Sequence, residues 1–252
     1  MSKIVVIGGG AAGMMAAGTA GARHEVILLE KNEKLGKKMF ITGKGRCNFT
    51  NACEIEELIE NVVTNKSFLY SAFYTFSNTS TIQLFNELGL REKVERGNRV
   101  FPQSDKSSDV IKAMSKYLEK NNVEVRLNTT VKDLLTEDGK IKGVLLENGQ
   151  TIECDGVILA TGGVTYSQTG STGDGYIFAK KLGHGIIEPK GALIPLVSED
   201  SFVKELQGLS LKNVSISLFK GNKKVKEVFG EMLFTHFGLS GPAVLSLSSI
   251  IK

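Results

Sequence analysis

Cysteine is scarce: Cys47, Cys53 and Cys154 are the only three in 252 residues. That is too few for a secreted disulfide scaffold and suits a reducing cytosol, so a cytoplasmic protein is expected. Proline is scarcer still for this length, at four, and no Gly-x-y period accompanies it, which excludes a collagen-like chain or a proline-rich linker. Neither sign of charge dominates. The 31 Lys and Arg against 27 Asp and Glu leave a net charge of +4, which gives no reason to expect a nucleic-acid or anionic-membrane footprint. With three histidines, no Ser-His-Asp order and no metal-ligand spacing emerges, so no metal is expected.

One stretch lacks charge altogether. Residues 4–22 are long enough to suggest a membrane span, but they hold six glycines, three of them consecutive at Gly8, Gly9 and Gly10. Each would cost a helix interior about 1 kcal/mol relative to alanine. A single Lys3 precedes the run and no small-residue cleavage site follows it, so it is not a signal peptide either. A strand, a turn and a helix fit it better, and a soluble protein with no membrane partner is expected. The 41% apolar content can support a buried core. The 28 glycines, about 11% of the chain against roughly 7% in average usage, point to tight turns and close backbone approaches.

Residues 3–7 form a β-branched apolar run of the kind buried on both faces of a sheet, residues 11–22 a small-residue helix, and residues 25–29 a second such strand. This is a β-α-β unit with parallel strands. Residues 31–53 read as a long basic loop of the functional type. Helical spacing follows over 55–63, 68–76 and 81–88, then a hairpin over 91–101 turning at Gly97-Asn98, then a helix from Ser107 or Ser108 to Glu119 with Ile111, Met114 and Leu118 inward. A strand returns at 123–127. Residues 130–154 have the turn signals of an antiparallel meander, at Asp138-Gly139 and Asn148-Gly149. A buried strand is expected at 156–160, a helix at 176–182, and strands over 193–197, 214–219 and 223–229. The predicted boundary falls near residue 190, with a dinucleotide-binding domain over 1–190 and a β-rich domain over 191–252.

The chemistry concentrates first at Gly8-x-Gly10-x-x-Gly13. It follows a strand, opens a helix, and is followed by a strand ending in Glu30. In that context Gly8 permits the tight turn, Gly9 and Gly10 let the backbone approach a pyrophosphate, and Gly13 lets the helix pack on the strand. The N–H groups of Ala11 and Ala12 and the positive end of the helix dipole face the phosphates, and Glu30 accepts from ribose hydroxyls. The bland alternative is a glycine-rich turn with no ligand. A plain NAD domain would continue with alternating helices and parallel strands, whereas this chain inserts a basic loop, helices and a meander before the strand that ends Ala160-Thr161-Gly162-Gly163.

The stretch Lys37-Lys38-Met39-Phe40-Ile41-Thr42-Gly43-Lys44-Gly45-Arg46-Cys47-Asn48-Phe49-Thr50-Asn51 closely resembles the BaiN-like, or YhiN-like, family of NAD(P)/FAD-dependent flavoproteins, which includes an aminoacetone oxidase. Thr169-Gly170-Ser171-Thr172-Gly173-Asp174-Gly175, Ala192-Leu193-Ile194-Pro195-Leu196, and the run from Gly230 to Pro242 carry the same resemblance. The resemblance implies a three-layer α/β Rossmann-like FAD-binding domain and an oxidoreductase working by flavin hydride transfer. The expected reaction is NAD(P)H-linked reduction of an activated C=C bond or oxidation of a small amine, on a small-molecule substrate. The alternatives are a flavin-binding module without turnover and a plain NAD-binding protein. It further implies FAD contacts at Thr42, Gly43, Gly45, Arg46, Cys47 and Asn48, at the Val131 backbone, at Thr161, Gly162 and Gly163, at Asp174, and at Lys31 and Lys38 of the basic loop. Asp174 alternatively caps the helix after it. Lys34 and Lys37 read as a solvated face. His236 and Cys47 are the candidates for catalysis; Cys47 with Cys53 as a redox pair has the wrong spacing for the disulfide reductases. Family members are usually longer and return to the FAD domain, and this chain ends inside an apolar helix after Pro242, so an incomplete second domain is expected. Substrate, electron donor and oligomeric state are not legible.

Overall fold

A computed structural model describes residues 1–251. The chain divides into two units, residues 1–61 with 66–187, and residues 188–252 with 62–65.

The first unit is built on a four-stranded parallel sheet. Strand β1 (Lys3–Ile7) leads through helix α1 (Ala11–Gly21) to β2 (Glu25–Leu29). Next come a 3₁₀ segment (Met39–Gly45), a two-residue strand β3 (Thr50–Asn51), helices α2 (Ile55–Glu60), α3 (Lys66–Thr75) and α4 (Asn78–Glu87), and the hairpin β4 (Glu92–Glu95) and β5 (Arg99–Pro102). Helix α5 (Ser107–Lys120) returns the chain to the sheet as β6 (Glu124–Arg126). The meander β7 (Val131–Glu137), β8 (Lys140–Leu146), β9 (Thr151–Glu153) precedes β10 (Gly156–Leu159), and α6 (Asp174–Lys181) ends the unit's regular structure. The sheet order is β10-β1-β2-β6, all parallel, with Val5 opposite both Ile27 and Val157.

Three layers result because the strands alternate. Val5, Ile7, Ile27 and Leu29 pack on Val131, Val144, Leu146 and Ile152 of the meander and on Phe178 of α6. Val6, Val26 and Leu28 face the other way, onto Met14 and Ala17 of α1 and Val110, Met114 and Leu118 of α5. Burying each such side chain stabilises the fold by about 1.5–3 kcal/mol. Helices α1 and α5 approach closely at Gly18, where an added Cβ would lie 2.2 Å from the Tyr117 ring. Ile111, Met114 and Leu118 are buried as their spacing predicts.

Two expectations need correction. Strand β10 is not buried on both faces: Val157 and Ile158 are half-buried and Leu159 is 37% exposed, because β10 is an edge of the sheet and Leu159 borders a cleft. The 31–53 loop is partly ordered as the 3₁₀ segment, which kinks at Thr42–Lys44, and Lys44 and Cys47 adopt positive φ of 56° and 61°, a conformation uncommon outside glycine.

The second unit has a sheet in the order β11-β14-β13-β12, formed by β11 (Leu196–Val197), β12 (Ser210–Lys220), β13 (Lys223–Phe234) and β14 (Gly238–Ser240), with α7 (Phe202–Glu205) and α8 (Pro242–Ser248). The expected strand at 193–197 shrinks to two residues, while the hairpin strands lengthen to 11 and 12, since each pairs the other along its length. Among the described residues no helix is long and apolar enough to cross a membrane.

Candidate functional site

The sheet order itself selects the site. From β1 the chain moves outward through β2 to β6, then crosses to the other side of β1 as β10. A crevice opens at the carboxyl ends of parallel strands where the direction of winding switches. The residues that leave those ends, Gly8, Gly10, Ala11 and Ala12 after β1, Glu30–Asn32 after β2, Thr129 and Thr130 after β6, and Ala160–Gly162 after β10, line one cleft of about 490 Å³, within the roughly 300–1,000 Å³ usual for small-molecule sites.

At the first segment, Gly8 has φ +107° and an added Cβ there would lie 2.5 Å from the Ala160 carbonyl oxygen. The chain therefore turns sharply enough for the α1 N-terminus to point into the cleft. Gly10 is the N-cap, with no side chain capping the helix and no acid in the first turn. An added Cβ at Gly10 meets no atom within 4 Å, and Ala11 and Ala12 line the cleft beside it. Free N–H groups and the dipole's positive end thus border open space, an arrangement suited to an anion.

Glu30 is 7% exposed. Its carboxylate accepts from the Gly9 N–H at 2.7 Å, the Asn32 N–H at 2.8 Å and the Asn32 Nδ2 at 2.6 Å. Three donors leave it capacity for a further one from a ligand. Asn32 also donates from Nδ2 to the Thr169 carbonyl at 3.2 Å, and Lys37 Nζ donates to Asn32 Oδ1 at 3.2 Å.

The glycine-rich 165–175 segment is strapped over the basic loop. Lys31 Nζ donates to Thr172 Oγ1 at 2.6 Å and to Asp174 Oδ2 at 2.8 Å, while Lys38 Nζ donates to Ser171 Oγ at 2.7 Å and the Thr165 carbonyl at 2.8 Å. Burial works to raise the Asp174 pKa, but hydrogen bonds from Lys31 and Thr172 outweigh it and hold the carboxyl below its usual range. Asp174 is the first helical residue of α6 and Gly173 is the N-cap; the capping role considered for Asp174 gives way to the ion pair with Lys31.

Of the residues singled out in the sequence, Gly8, Gly10, Ala11, Ala12, Glu30, Lys31, Lys38, Thr42, Val131, Thr161, Gly162 and Asp174 line this cleft. Gly9 and Gly13 stand behind it, Gly9 holding Glu30 and Gly13 under Gly8. Gly43, Gly45, Arg46, Cys47, Asn48 and Gly163 are not among its lining residues. Arg46 turns away for an identifiable reason: its Nε donates to Asp105 at 2.7 Å, a terminal nitrogen pairs with Glu95, and the guanidinium stacks 4.1 Å from the Phe101 ring centroid. Lys93 completes the cluster on Asp105. Arg46 clamps the loop to the β4–β5 hairpin. Cys47 is 3% exposed within the apolar core, and burial pushes its thiol pKa up, the opposite of an activated thiolate. All three cysteines are free thiols. His236 lies exposed in the turn between β13 and β14, edge-on to Phe237 at 4.9 Å. Sequence reasoning missed Asn32 and Ser171 and took Lys37 for a solvated residue, although all three line the cleft. The adjacency of Asn32 to Glu30 was the available signal.

The model of the HI0933-like protein Rossmann domain family matches residues 2–241. A ribosomal RNA dihydrouridine synthase of Escherichia coli is 33% identical over 248 residues, 97% of this chain and 60% of that protein. A 3-dehydro-bile acid delta(4,6)-reductase of Clostridium scindens is 33% identical over 254 residues, 98% of this chain and 60% of that protein. The chain thus spans about 60% of the length of these curated relatives. Among solved structures, the open conformation of a flavocytochrome c3 fumarate reductase superposes with a TM-score of 0.57 at 21% identity, covering 84% of this chain and 47% of that one. At that identity the shared property is the fold.

Proposed function

Because the chain belongs to the HI0933-like Rossmann-domain family, a family of FAD-dependent oxidoreductases, we propose that it forms the FAD-holding part of an enzyme that reduces a carbon–carbon double bond conjugated to a carbonyl. The observation that carries the cofactor is the cleft at the switch point, with an uncapped helix N-terminus, open space at Gly10 and the buried Glu30 on one wall. When bound, FAD would supply hydride transfer at its isoalloxazine ring. The N–H groups of Ala11 and Ala12 would face its pyrophosphate, Glu30 its ribose and the Val131 backbone its adenine. The Lys31–Asp174 and Lys38–Ser171 contacts keep the glycine-rich segment in place over the basic loop.

The reaction class follows from chemistry common to two relatives. One is named for making dihydrouridine, the product of saturating the ring double bond of uridine that is conjugated to a carbonyl. The other is named for reducing delta(4,6) unsaturation in a 3-dehydro bile acid. For this chain the balance is two electrons and a proton from NAD(P)H plus a second proton from solvent, saturating the bond and leaving NAD(P)⁺.

The test is the visible spectrum of the purified chain, followed by anaerobic addition of NADH and NADPH. Flavin bands that bleach with a nicotinamide and recover with a conjugated enone are expected. A colourless protein that takes up no added FAD refutes the cofactor; bleaching with no recovery on any enone or uridine refutes the reaction class.

A further inference from the structure

Asn32 lies three residues after β2, half-buried, and is bonded to three of the segments that border the cleft. Its backbone N–H and its Nδ2 both donate to Glu30 Oε1, at 2.8 and 2.6 Å. Nδ2 also donates to the Thr169 carbonyl at 3.2 Å. The Asn32 backbone carbonyl accepts from the Asn128 N–H at 3.0 Å, just before Thr129, Thr130 and Val131 on the cleft wall. The side-chain amide fits only one way round. Lys37 Nζ has protons alone to offer and lies 3.2 Å from Oδ1, so the NH2 end meets the carboxylate and the carbonyl, which are both acceptors.

These contacts divide the two oxygens of Glu30. Oε1 takes two protons from Asn32, which fills both of its lone-pair directions. Oε2 takes one, from the Gly9 N–H at 2.7 Å. The remaining acceptor direction of this carboxylate, 7% exposed on the cleft wall, therefore belongs to Oε2. The torsion that turns a glutamate carboxylate has no sharp well of its own, so the division depends on the bonds that hold it. Gly170 brings the glycine-rich segment onto the same amide: its φ is +99°, and an added Cβ there would lie 2.6 Å from Asn32 Nδ2. An asparagine that only closed the turn after β2 would need its bonds to Glu30 and no more. Here one nitrogen fixes both that acid and a segment 137 residues away.

We propose that Asn32 is the positioning residue of a ribose subsite: it occupies Oε1 of Glu30 so that Oε2 accepts the ribose hydroxyl of an adenine nucleotide. Loss of Nδ2 leaves Oε1 with one donor and frees the carboxylate to turn, and the acceptor is no longer aimed at one hydroxyl. The proposal rests on the FAD reading of the cleft, in which Glu30 faces the ribose, and its test reads hydroxyl selectivity rather than turnover.

The experiment is a competition titration against FAD, read by flavin fluorescence, with ADP and with 2′,3′-dideoxy-ADP, which lacks both ribose hydroxyls. The wild-type chain is expected to prefer ADP by roughly 10- to 100-fold, the worth of one hydrogen bond to a charged acceptor. Asn32→Ala is expected to cut that preference to less than about threefold while its affinity for the dideoxy nucleotide stays within about threefold of wild type. Asn32→Asp, which keeps the side chain's size and its Lys37 contact, is expected to do the same and serves if the alanine variant does not fold, as far-UV circular dichroism reports. Adding Glu30→Gln to either variant should lower the preference no further, because both residues act on one bond. An Asn32 variant that retains the wild-type preference overturns the proposal, and so does one that loses affinity for both nucleotides equally, the mark of a purely structural amide. Wild-type binding of FAD with no preference between the two nucleotides overturns it while the cofactor reading stands; no binding of FAD or ADP at all overturns both.

Discussion

Replacing Gly13 by Ala tests whether backbone contact between α1 and β1 sets the geometry of the cleft. The added Cβ would stand 1.7 Å from the Gly8 carbonyl oxygen, 2.9 Å from its carbon and 3.3 Å from the Ala160 Cβ. Carbon–oxygen contacts run no closer than about 3.3 Å, so helix and turn must part by roughly 1.5 Å. Two effects oppose each other. Alanine favours a helix interior by about 1 kcal/mol over glycine, while overpacking a close-packed site costs about 1–3 kcal/mol. The clash is with backbone, which has no rotamer to escape into, so its cost lies at the upper end of that range, about 2–3 kcal/mol, and it wins by about 1–2 kcal/mol. At about 2–4 °C per kcal/mol for chains of this size, Tm should fall by roughly 2–8 °C. Losing one charge-assisted N–H bond to the pyrophosphate, about 1.5–3 kcal/mol, should weaken FAD binding by roughly 10- to 100-fold. Gly10→Ala is the control. Its φ is −80° and its Cβ meets nothing, so stability should change by less than about 1 kcal/mol while FAD binding still weakens, because the methyl group enters the cradle. Differential scanning fluorimetry and flavin fluorescence titration measure both. A Gly13→Ala chain with wild-type Tm and FAD affinity would refute the packing argument; a Gly10→Ala chain with wild-type affinity would refute the α1 N-terminus as the phosphate site.

Arg46→Met should flatten the acid limb of stability. The Arg46 guanidinium holds Glu95 below the usual carboxylate range, and Lys93 with Arg46 does the same for Asp105. Lowered folded pKa values give stability that is present above the unfolded values, about 4.3 and 3.9, and lost as pH falls through the folded ones; Tm measured from pH 3 to 7 should show the wild type losing this increment and the variant losing only the smaller part that Lys93 still supplies at Asp105. Lys31→Met should destabilise the strap by about 1 kcal/mol and raise the Asp174 pKa, which carboxyl NMR titration reads directly; an unmoved Asp174 would mean the ion pair is not what holds it. Native Cys47 should react with a thiol reagent at least about tenfold more slowly than Cys53, since Cys47 is core and Cys53 half-buried, and peptide mapping after labelling distinguishes them. Equal labelling would contradict the burial of Cys47.

Much of the first unit follows from local pattern. Strands β1 and β2 are β-branched runs bounded by glycine and charge, α5 has apolar residues at helical spacing, and the turns at Asp138-Gly139 and Asn148-Gly149 demand a left-handed backbone. Those signals lie within a few residues of one another, so a linear reading reaches them. Gly8, Gly10, Gly13 and Glu30 were legible because the β-α-β unit closes within about 30 residues and its loop chemistry is local.

Other features required contacts far apart in sequence. Arg46 sits in a motif that invites a ligand role, yet Glu95 and Asp105 from 49 and 59 residues away engage it, and a buried core rather than a reactive thiol surrounds Cys47. Lys37 sits beside the cleft, and Asn32 joins Glu30 to Thr169 across 137 residues. By itself the sequence determined the parallel β-α-β unit, the glycine-rich helix start and the acid that follows β2, because propensity, glycine conformation and short-range spacing act along the chain. Tertiary structure alone decided which cations reach the cleft and which are held elsewhere, because ion pairing and burial depend on which distant segments the sheet brings together.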